Sequence, residues 1–244
     1  MNRFYLDSDP VAPGVLSLSA EDVHHARDVL RLKPGDTVEV IRNGQRSTAI
    51  ITELSRERVL LSAGDPLPST EPLLAITLFQ GLPKADKMDW IVQKAVELGV
   101  SRIVPVQMER SVVHLKPQDF PRKVERWTKI AREAGKQSGR CVLPAVLNPV
   151  SVSQAAALFA DLEAAVVPWE SCQTLGPLAF TRSHPGLRSL GIVIGPEGGI
   201  SPAEISLLEK AGCIPMTLGP RILRTETAGL AAVSAFLSLY GEME

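Results

Sequence analysis

Two strand–loop–helix units stand close together near the C-terminal end of the chain, and their loops are built on glycine and proline. The first loop is Gly195-Pro196-Glu197-Gly198-Gly199-Ile200-Ser201, after the apolar run Leu190 to Ile194. The second is Leu218-Gly219-Pro220-Arg221-Ile222-Leu223-Arg224-Thr225-Glu226-Thr227-Ala228, after Ile214 to Leu218. A short apolar run before such a loop reads as a buried strand, and each loop opens into a helix. Two adjacent loops of this kind wall a pocket with backbone amides and carbonyls, which suits a nucleotide-like ligand. In the first loop, Ser201 caps the next helix, Pro202 fills its first turn and Glu204 completes a capping box. The plainer alternative is a tight turn with no ligand. The second loop weakens it by crowding Arg221, Arg224 and Glu226 between an apolar strand and an apolar helix. An Arg224–Glu226 ion pair that only shapes the loop stays open.

Upstream of these units the strand and helix patterns alternate. Leu73 to Gln80 reads as a strand, Asp86 to Leu98 as an amphipathic helix closed by Gly99, and Ile103 to Val106 as a strand. Phe120 to Ser138 reads as a long helix and Ala164 to Pro168 as a strand. This alternation predicts an α/β domain, a mostly parallel sheet with helices on both faces. Residues 1–68 differ. Thr37 to Ile41, Ser47 to Thr52 and Arg58 to Ser62 are short β-rich runs, separated by turn signals at Pro34-Gly35-Asp36, Asn43-Gly44 and Gly64-Asp65-Pro66. A small barrel interrupted by one helix near Ser19 is expected there. Three prolines between Pro66 and Pro72 read as a joint. Two domains are therefore expected, 1–68 and 73–244.

The formal net charge is −1, so any basic surface must be local. From Arg110 to Arg140 nine Lys/Arg face three acids. Arg122, Arg126 and Lys129 recur at helical spacing, as do Arg132 and Lys136, opposite Val124, Trp127, Ala131 and Ala134. Such a stripe can track phosphates, or it can be an ordinary solvated face. His25, beside Arg27 and Arg31, is a further RNA candidate with an equally plausible local role. Cys141, Cys172 and Cys213 lie far apart without CxxC pairing, and the four histidines lack metal-ligand spacing, so neither a disulfide framework nor a metal site is expected. No apolar run reaches membrane-spanning length, and the N-terminus lacks a signal-peptide core. A cytoplasmic protein without membrane contact is expected.

A Rossmann enzyme would place a glycine fingerprint after the first strand of the domain, where this chain has only Gly81-Leu82-Pro83-Lys84. No GxxxxGK[ST] occurs, which excludes a P-loop. A non-catalytic RNA-binding protein remains the alternative to an enzyme.

The wording of both C-terminal loops resembles the RsmE family of knotted, SPOUT-class 16S rRNA uridine-N3 methyltransferases. So do Lys84-Ala85-Asp86-Lys87-Met88-Asp89-Trp90, Glu109-Arg110-Ser111, Ala134 to Arg140, and His24-His25 with Val29-Leu30-Arg31. Ile200 and Ala85 depart from it, where an aromatic residue and a glycine are expected. The resemblance implies a C-terminal SPOUT trefoil-knot domain, a small N-terminal PUA-like β-barrel that helps hold RNA, and a homodimer. It implies S-adenosyl-L-methionine as cofactor and 16S rRNA of the small ribosomal subunit as substrate. The implied cofactor residues are Val167, Pro168 and Glu170; Ile194, Gly195, Pro196, Glu197, Gly198 and Gly199; and Leu218, Gly219, Pro220, Ile222, Leu223, Thr227 and Ala228. Arg224, Glu226 and Arg110 are the catalytic candidates, with Ser111 beside them. Arg224 would stabilise charge on the uracil, and Glu226 would orient Arg224 or accept the N3 proton.

Overall fold

The computed structural model describes residues 1–6 and 9–243. Its chain forms two compact units, Met1–Glu71 with Gly135–Val142, and Pro72–Ala134 with Leu143–Glu244.

The first unit holds β1 (Arg3–Tyr5), β2 (Val15–Ser17), α1 (Ala20–His24) continued by a π-helical turn over His25–Val29, β3 (Thr37–Arg42), β4 (Gln45–Leu54) and β5 (Val59–Leu67). These strands make one sheet in the order β1-β3-β4-β5-β2. Its core contains Phe4, Val38, Val40, Ile51 and Leu61, all at most 1% exposed. Asn43 and Gly44 both have positive φ (50° and 74°), as a two-residue hairpin turn between paired Arg42 and Gln45 requires. Ser19 caps α1, accepting from the Asp22 N–H, but its hydroxyl also donates to the Asp22 carboxylate at 2.8 Å.

The expected turn at Gly64-Asp65-Pro66 is strand instead, because β5 runs on to Leu67 with Ser47 opposite Pro66. Gly64 is there for close approach. A Cβ on it would lie 2.4 Å from Thr48 Oγ1, beside a bulge in the β4–β5 pairing. The downstream segment joins this unit through Glu71. Its carboxylate accepts from the backbone N–H of Cys141 (2.6 Å) and Val142 (3.1 Å) and from Arg140 Nη2 (2.7 Å).

The second unit contains β6 (Ala75–Gly81), α2 (Lys87–Leu98), β7 (Arg102–Gln107), α3 (Phe120–Ser138, whose last residues belong to the first unit), β8 (Ala145–Val146), β9 (Val150–Ser151) and α4 (Val152–Ala157). It continues with β10 (Ala164–Pro168), α5 (Pro177–Ser183), β11 (Ser189–Ile194), α6 (Pro202–Lys210), β12 (Cys213–Met216) and α7 (Thr225–Leu239). Every strand pair in the sheet is parallel, in the order β12-β10-β11-β6-β7-β8, with β9 also on β7. Side chains alternate across it. Ile76 and Leu78 join a core with α2, α3, α5 and α7, whereas Phe79, Val104 and Val106 face α4 and α6. The expected α/β fold with helices on both faces is the one observed. β10 lies between two strands that follow it in sequence, so the β11–β12 connection crosses it.

The register places Ile194 beside Gln80 and Pro168 beside Met216. The loops after β6, β10, β11 and β12 therefore leave the sheet at its carboxyl end, where parallel sheets gather ligands. Gly99 ends α2 with φ 111°, a left-handed cap open to glycine.

Candidate cofactor cavity and active site

Three of these loops enclose a cavity of about 550 Å³. Its walls are Pro168–Glu170 with Cys172 and Gln173 after β10, Ile194–Pro196 with Gly199 and Ile200 after β11, and Thr217–Leu223 after β12, closed by Thr225 and Ala228 of α7. The volume falls within the usual range for a cofactor pocket.

The first glycine loop is held at both ends. Ser201 Oγ accepts from the Glu204 N–H (3.3 Å), and Glu204 Oε2 accepts from the Ser201 N–H (3.1 Å), as the capping-box pattern predicts. The other Glu204 oxygen accepts from the Glu109 N–H at 2.8 Å. At the strand end, the buried Thr225 hydroxyl donates to the Gly195 carbonyl (2.6 Å) and accepts from Gln80 Nε2 (2.9 Å). The glycines serve different ends. A Cβ on Gly195 would lie 2.7 Å from Ile200 Cγ1, and one on Gly198 would lie 2.8 Å from the Arg110 carbonyl oxygen. Gly199 has room, with nothing nearer than 3.9 Å, but its φ of 72° is left-handed.

Of the expected cofactor residues, the cavity wall includes Pro168, Glu170, Ile194, Gly195, Pro196, Gly199, Leu218, Gly219, Pro220, Ile222, Leu223 and Ala228. Four others lie off it. Val167 is fully buried among the side chains facing α4 and α6. Gly198 packs on Arg110. The Glu197 carboxylate turns to the start of α2, accepting from the Lys84 N–H (3.2 Å) and pairing with Lys87 Nζ (2.9 Å). Thr227 is exposed, its N–H bonded to the Arg224 carbonyl. Trp169 and Arg221, which fall inside the expected segments, and Cys172, Gln173, Ile200, Thr217 and Thr225, which do not, complete the wall. The glycine-proline loops gave away the backbone segments, but nothing in sequence shows which side of a loop faces inward.

Arg224 immediately precedes α7 with extended backbone (φ −65°, ψ 153°). It is exposed, and among the described residues its guanidinium has no hydrogen bond or ion pair. Glu226 is not bonded to Arg224. It pairs with Lys87 Nζ at 3.0 Å. Burial pushes the Glu226 carboxyl up. Its own backbone N–H, Lys87 and the nearby Arg224 charge outweigh burial and hold it below the ordinary glutamate range. Glu197 is held low in the same way, burial being outweighed by Lys87 and by backbone donors. Lys87 is raised by hydrogen bonds to these two carboxylates. Arg110 Nη1 donates to the Gly198 carbonyl at 3.3 Å, outside the cavity wall. Ser111 is buried, its hydroxyl accepting from the Met108 N–H at 3.2 Å.

The RNA candidates fall in both units. In the first unit His25 and Arg31 are exposed, Arg27 pairs with Asp28 at 2.6 Å, and Lys136 Nζ lies 3.7 Å from Asp22. In the second, Arg122 and Lys129 are exposed on α3, while Arg126 is engaged by Asp89 and Asp86. Trp127, Ala131 and Ala134 are buried on the opposite face of that helix.

Residues 69–237 match the family described as RNA methyltransferase domain, and residues 18–63 that described as RNA methyltransferase PUA domain. The chain is 38% identical over 225 residues to ribosomal RNA small subunit methyltransferase E of Bacillus subtilis (strain 168), covering 90% of this chain and 88% of that protein. The ribosomal RNA small subunit methyltransferase E of Neisseria gonorrhoeae, solved bound to S-adenosyl methionine, is 32% identical with a TM-score of 0.86 over 100% of both chains. A Legionella pneumophila protein solved with SAM bound is 30% identical with a TM-score of 0.81, covering 97% of this chain and 96% of that one. With matches of this length across both units, the chain belongs to the ribosomal RNA small subunit methyltransferase E family.

Proposed function

We propose that this protein transfers the methyl group of S-adenosylmethionine to N3 of a uridine in the 16S rRNA of the small ribosomal subunit. The observation that carries this reading is the cavity walled by the loops after β10, β11 and β12. Apolar Ile194, Leu218, Leu223 and Ala228 suit an adenine ring, and Glu170 suits the amino group of a methionine tail. The same segments hold the cofactor on this reading, Val167 and Gly198 by supporting the loops from behind.

When bound, the cofactor supplies an electrophilic methyl on a sulfonium. Transfer breaks that S–C bond and the N3–H bond and forms N3–C, leaving S-adenosylhomocysteine and a proton. The chain must orient the uracil and stabilise the negative charge that gathers on it as N3 loses its proton. We assign that task to Arg224, which lies between cavity-wall residues Leu223 and Thr225 with its guanidinium unpaired among the described residues. Glu226, held ionised against Lys87, is a poor proton acceptor. We assign it to orienting the Arg224 turn, and the proton to water. Arg110 steadies the first glycine loop. Residues 73–244 form the methyltransferase domain and residues 1–68 an RNA-holding domain, with His25, Arg31, Arg122 and Lys129 as phosphate contacts and Arg27, Arg126 and Lys136 joining after exchange of their acidic partners.

Incubating 16S rRNA in small subunits with the protein and labelled cofactor, then mapping mass by nuclease fragment, tests the reaction. One additional methyl on a uridine that blocks its Watson–Crick edge is expected. Label on a ribose or another base overturns the N3 assignment.

A homodimer working in the cytoplasm completes the reading, and no described helix is long and apolar enough to cross a membrane. On α7, Ala231 and Ala235 stay partly open while Ala232, Val233 and Phe236 are buried, leaving a shallow strip for a close partner. Sedimentation at micromolar concentration is expected to give twice the chain mass of 26.3 kDa. A stable monomer contradicts the dimer.

A further inference from the structure

Lys87 forms a charged bridge between the first glycine loop and the start of α7. It is the first residue of α2, yet its Nζ lies 2.9 Å from Glu197 Oε1 in the first glycine loop and 3.0 Å from Glu226 Oε2 at the start of α7. The segment leading to it is pressed onto the first loop. A Cβ on Gly81 would meet the Pro196 nitrogen at 2.7 Å. Ala85 takes a left-handed φ of 52°, strained for a residue other than glycine. That conformation accompanies two donors from one short segment, the Lys84 N–H and Lys87 Nζ, converging on the Glu197 carboxylate. Beneath this bridge, the Gln80–Thr225–Gly195 hydrogen bonds tie the same three segments inside the protein.

We propose that Lys87 is a positioning residue, which by bridging Glu197 and Glu226 fixes the Arg224 turn against the cofactor loop. The proposal rests on the methyl-transfer reading above. Without the ammonium, two carboxylates that shared one cation repel each other, and Glu226 is the one that turns away, because Glu197 is also held by the Lys84 N–H. Arg224 lies two residues from Glu226, so its guanidinium moves with it. A displacement of about 1 Å in a positioning group costs up to about a hundredfold in rate. A half-exposed bridge contributes little to folding, so the thermal midpoint should move by no more than about 4 °C.

Lys87→Met, Lys87→Arg and the double variant Lys87→Met/Glu226→Gln test it in the full-length protein. For Lys87→Met we expect kcat on small subunits to fall about ten- to hundredfold, with S-adenosylmethionine affinity by calorimetry within about threefold of wild type. Lys87→Arg should recover most of the rate, and the double variant part of it, because the neutral amide ends the repulsion. Glu197, Glu226 and the nearby Arg224 are the charged groups facing the bridge. Protonating either carboxylate relieves Lys87→Met, so its deficit relative to wild type should shrink as pH falls toward about 5. A readout independent of catalysis is hydrogen exchange in the cofactor-free protein. The Thr227 and Ala228 N–H groups, bonded to the Arg224 carbonyl, should exchange faster in Lys87→Met. Wild-type kcat and exchange in Lys87→Met overturn the proposal, as does a loss that neither Lys87→Arg nor Glu226→Gln repairs. If the wild-type protein methylates no 16S rRNA, the functional reading falls separately, and exchange still decides whether Lys87 holds the turn.

Discussion

Gly199→Val weakens S-adenosylmethionine binding by about thirtyfold or more while the protein still unfolds in one cooperative transition. The residue sits in the cavity wall with φ at 72°, and its N–H closes a turn onto the Pro196 carbonyl at 2.9 Å. A Cβ would find space, so the obstacle is the backbone. Left-handed conformation costs an L-residue about 1–2 kcal/mol, and a β-branched side chain more. Two kcal/mol is already about thirtyfold in a binding constant. The loop escapes the strain by turning its peptide planes, which are the cavity wall. Ser201–Glu204 capping and the buried Ile200 anchor the far side, so the rest of the fold has no cause to follow. Gly199→Asn is the matched control, since asparagine enters the left-handed region more readily and should retain more affinity. Undiminished affinity of the valine variant in calorimetry would detach this loop from the cofactor.

The βα rhythm was legible because buried parallel strands and amphipathic helices leave strong periodic signals. Phe120–Ser138 and Ala164–Pro168 fall where the pattern puts them. The short elements carried too few residues for a period. β1 and β2 have three each, and β8 and β9 two. α4 is different, because Ser151 and Gln154 form a complete capping box that was in the sequence to be read. Gly64-Asp65-Pro66 misled because turn residues also serve bulges and open strand edges, and only the approach of Thr48 distinguishes the two. The glycine loops announced the cavity, since close backbone approach leaves its mark in residue type. The charge network did not announce itself. Glu226 was matched to Arg224 because they are neighbours in sequence, whereas its partner Lys87 lies 139 residues away. Likewise nothing local marks Gln80 as the fully buried amide that joins Thr225 to the sheet.

Arg224→Ala lowers methyl transfer to small-subunit rRNA by about a hundredfold or more, the cost of losing one donor to a developing oxyanion, while S-adenosylmethionine affinity stays within about threefold. The two effects separate because Arg224 is not in the cavity wall, although Leu223 and Thr225 on either side of it are. Its backbone carbonyl accepts from the Thr227 and Ala228 N–H groups, and alanine keeps both bonds. The guanidinium itself has no partner among the described residues, so its removal breaks no contact within the fold. An exposed, unpaired cation at the start of a helix is a poor structural element. It lies near the helix's positive end, where a carboxylate would be favoured. The position makes sense for a group whose counter-charge arrives with the substrate. That charge is greatest on the uracil as N3 gives up its proton, so the interaction grows toward the transition state and acts on kcat more than on ground-state binding. Arg224→Lys keeps the charge but loses the planar fork, and should fall between wild type and alanine. Loss of cofactor affinity and of thermal stability together in Arg224→Ala would instead make Arg224 a brace of the loop and move the search for the charge-stabilising group to Arg221, the other arginine of this loop and itself part of the cavity wall.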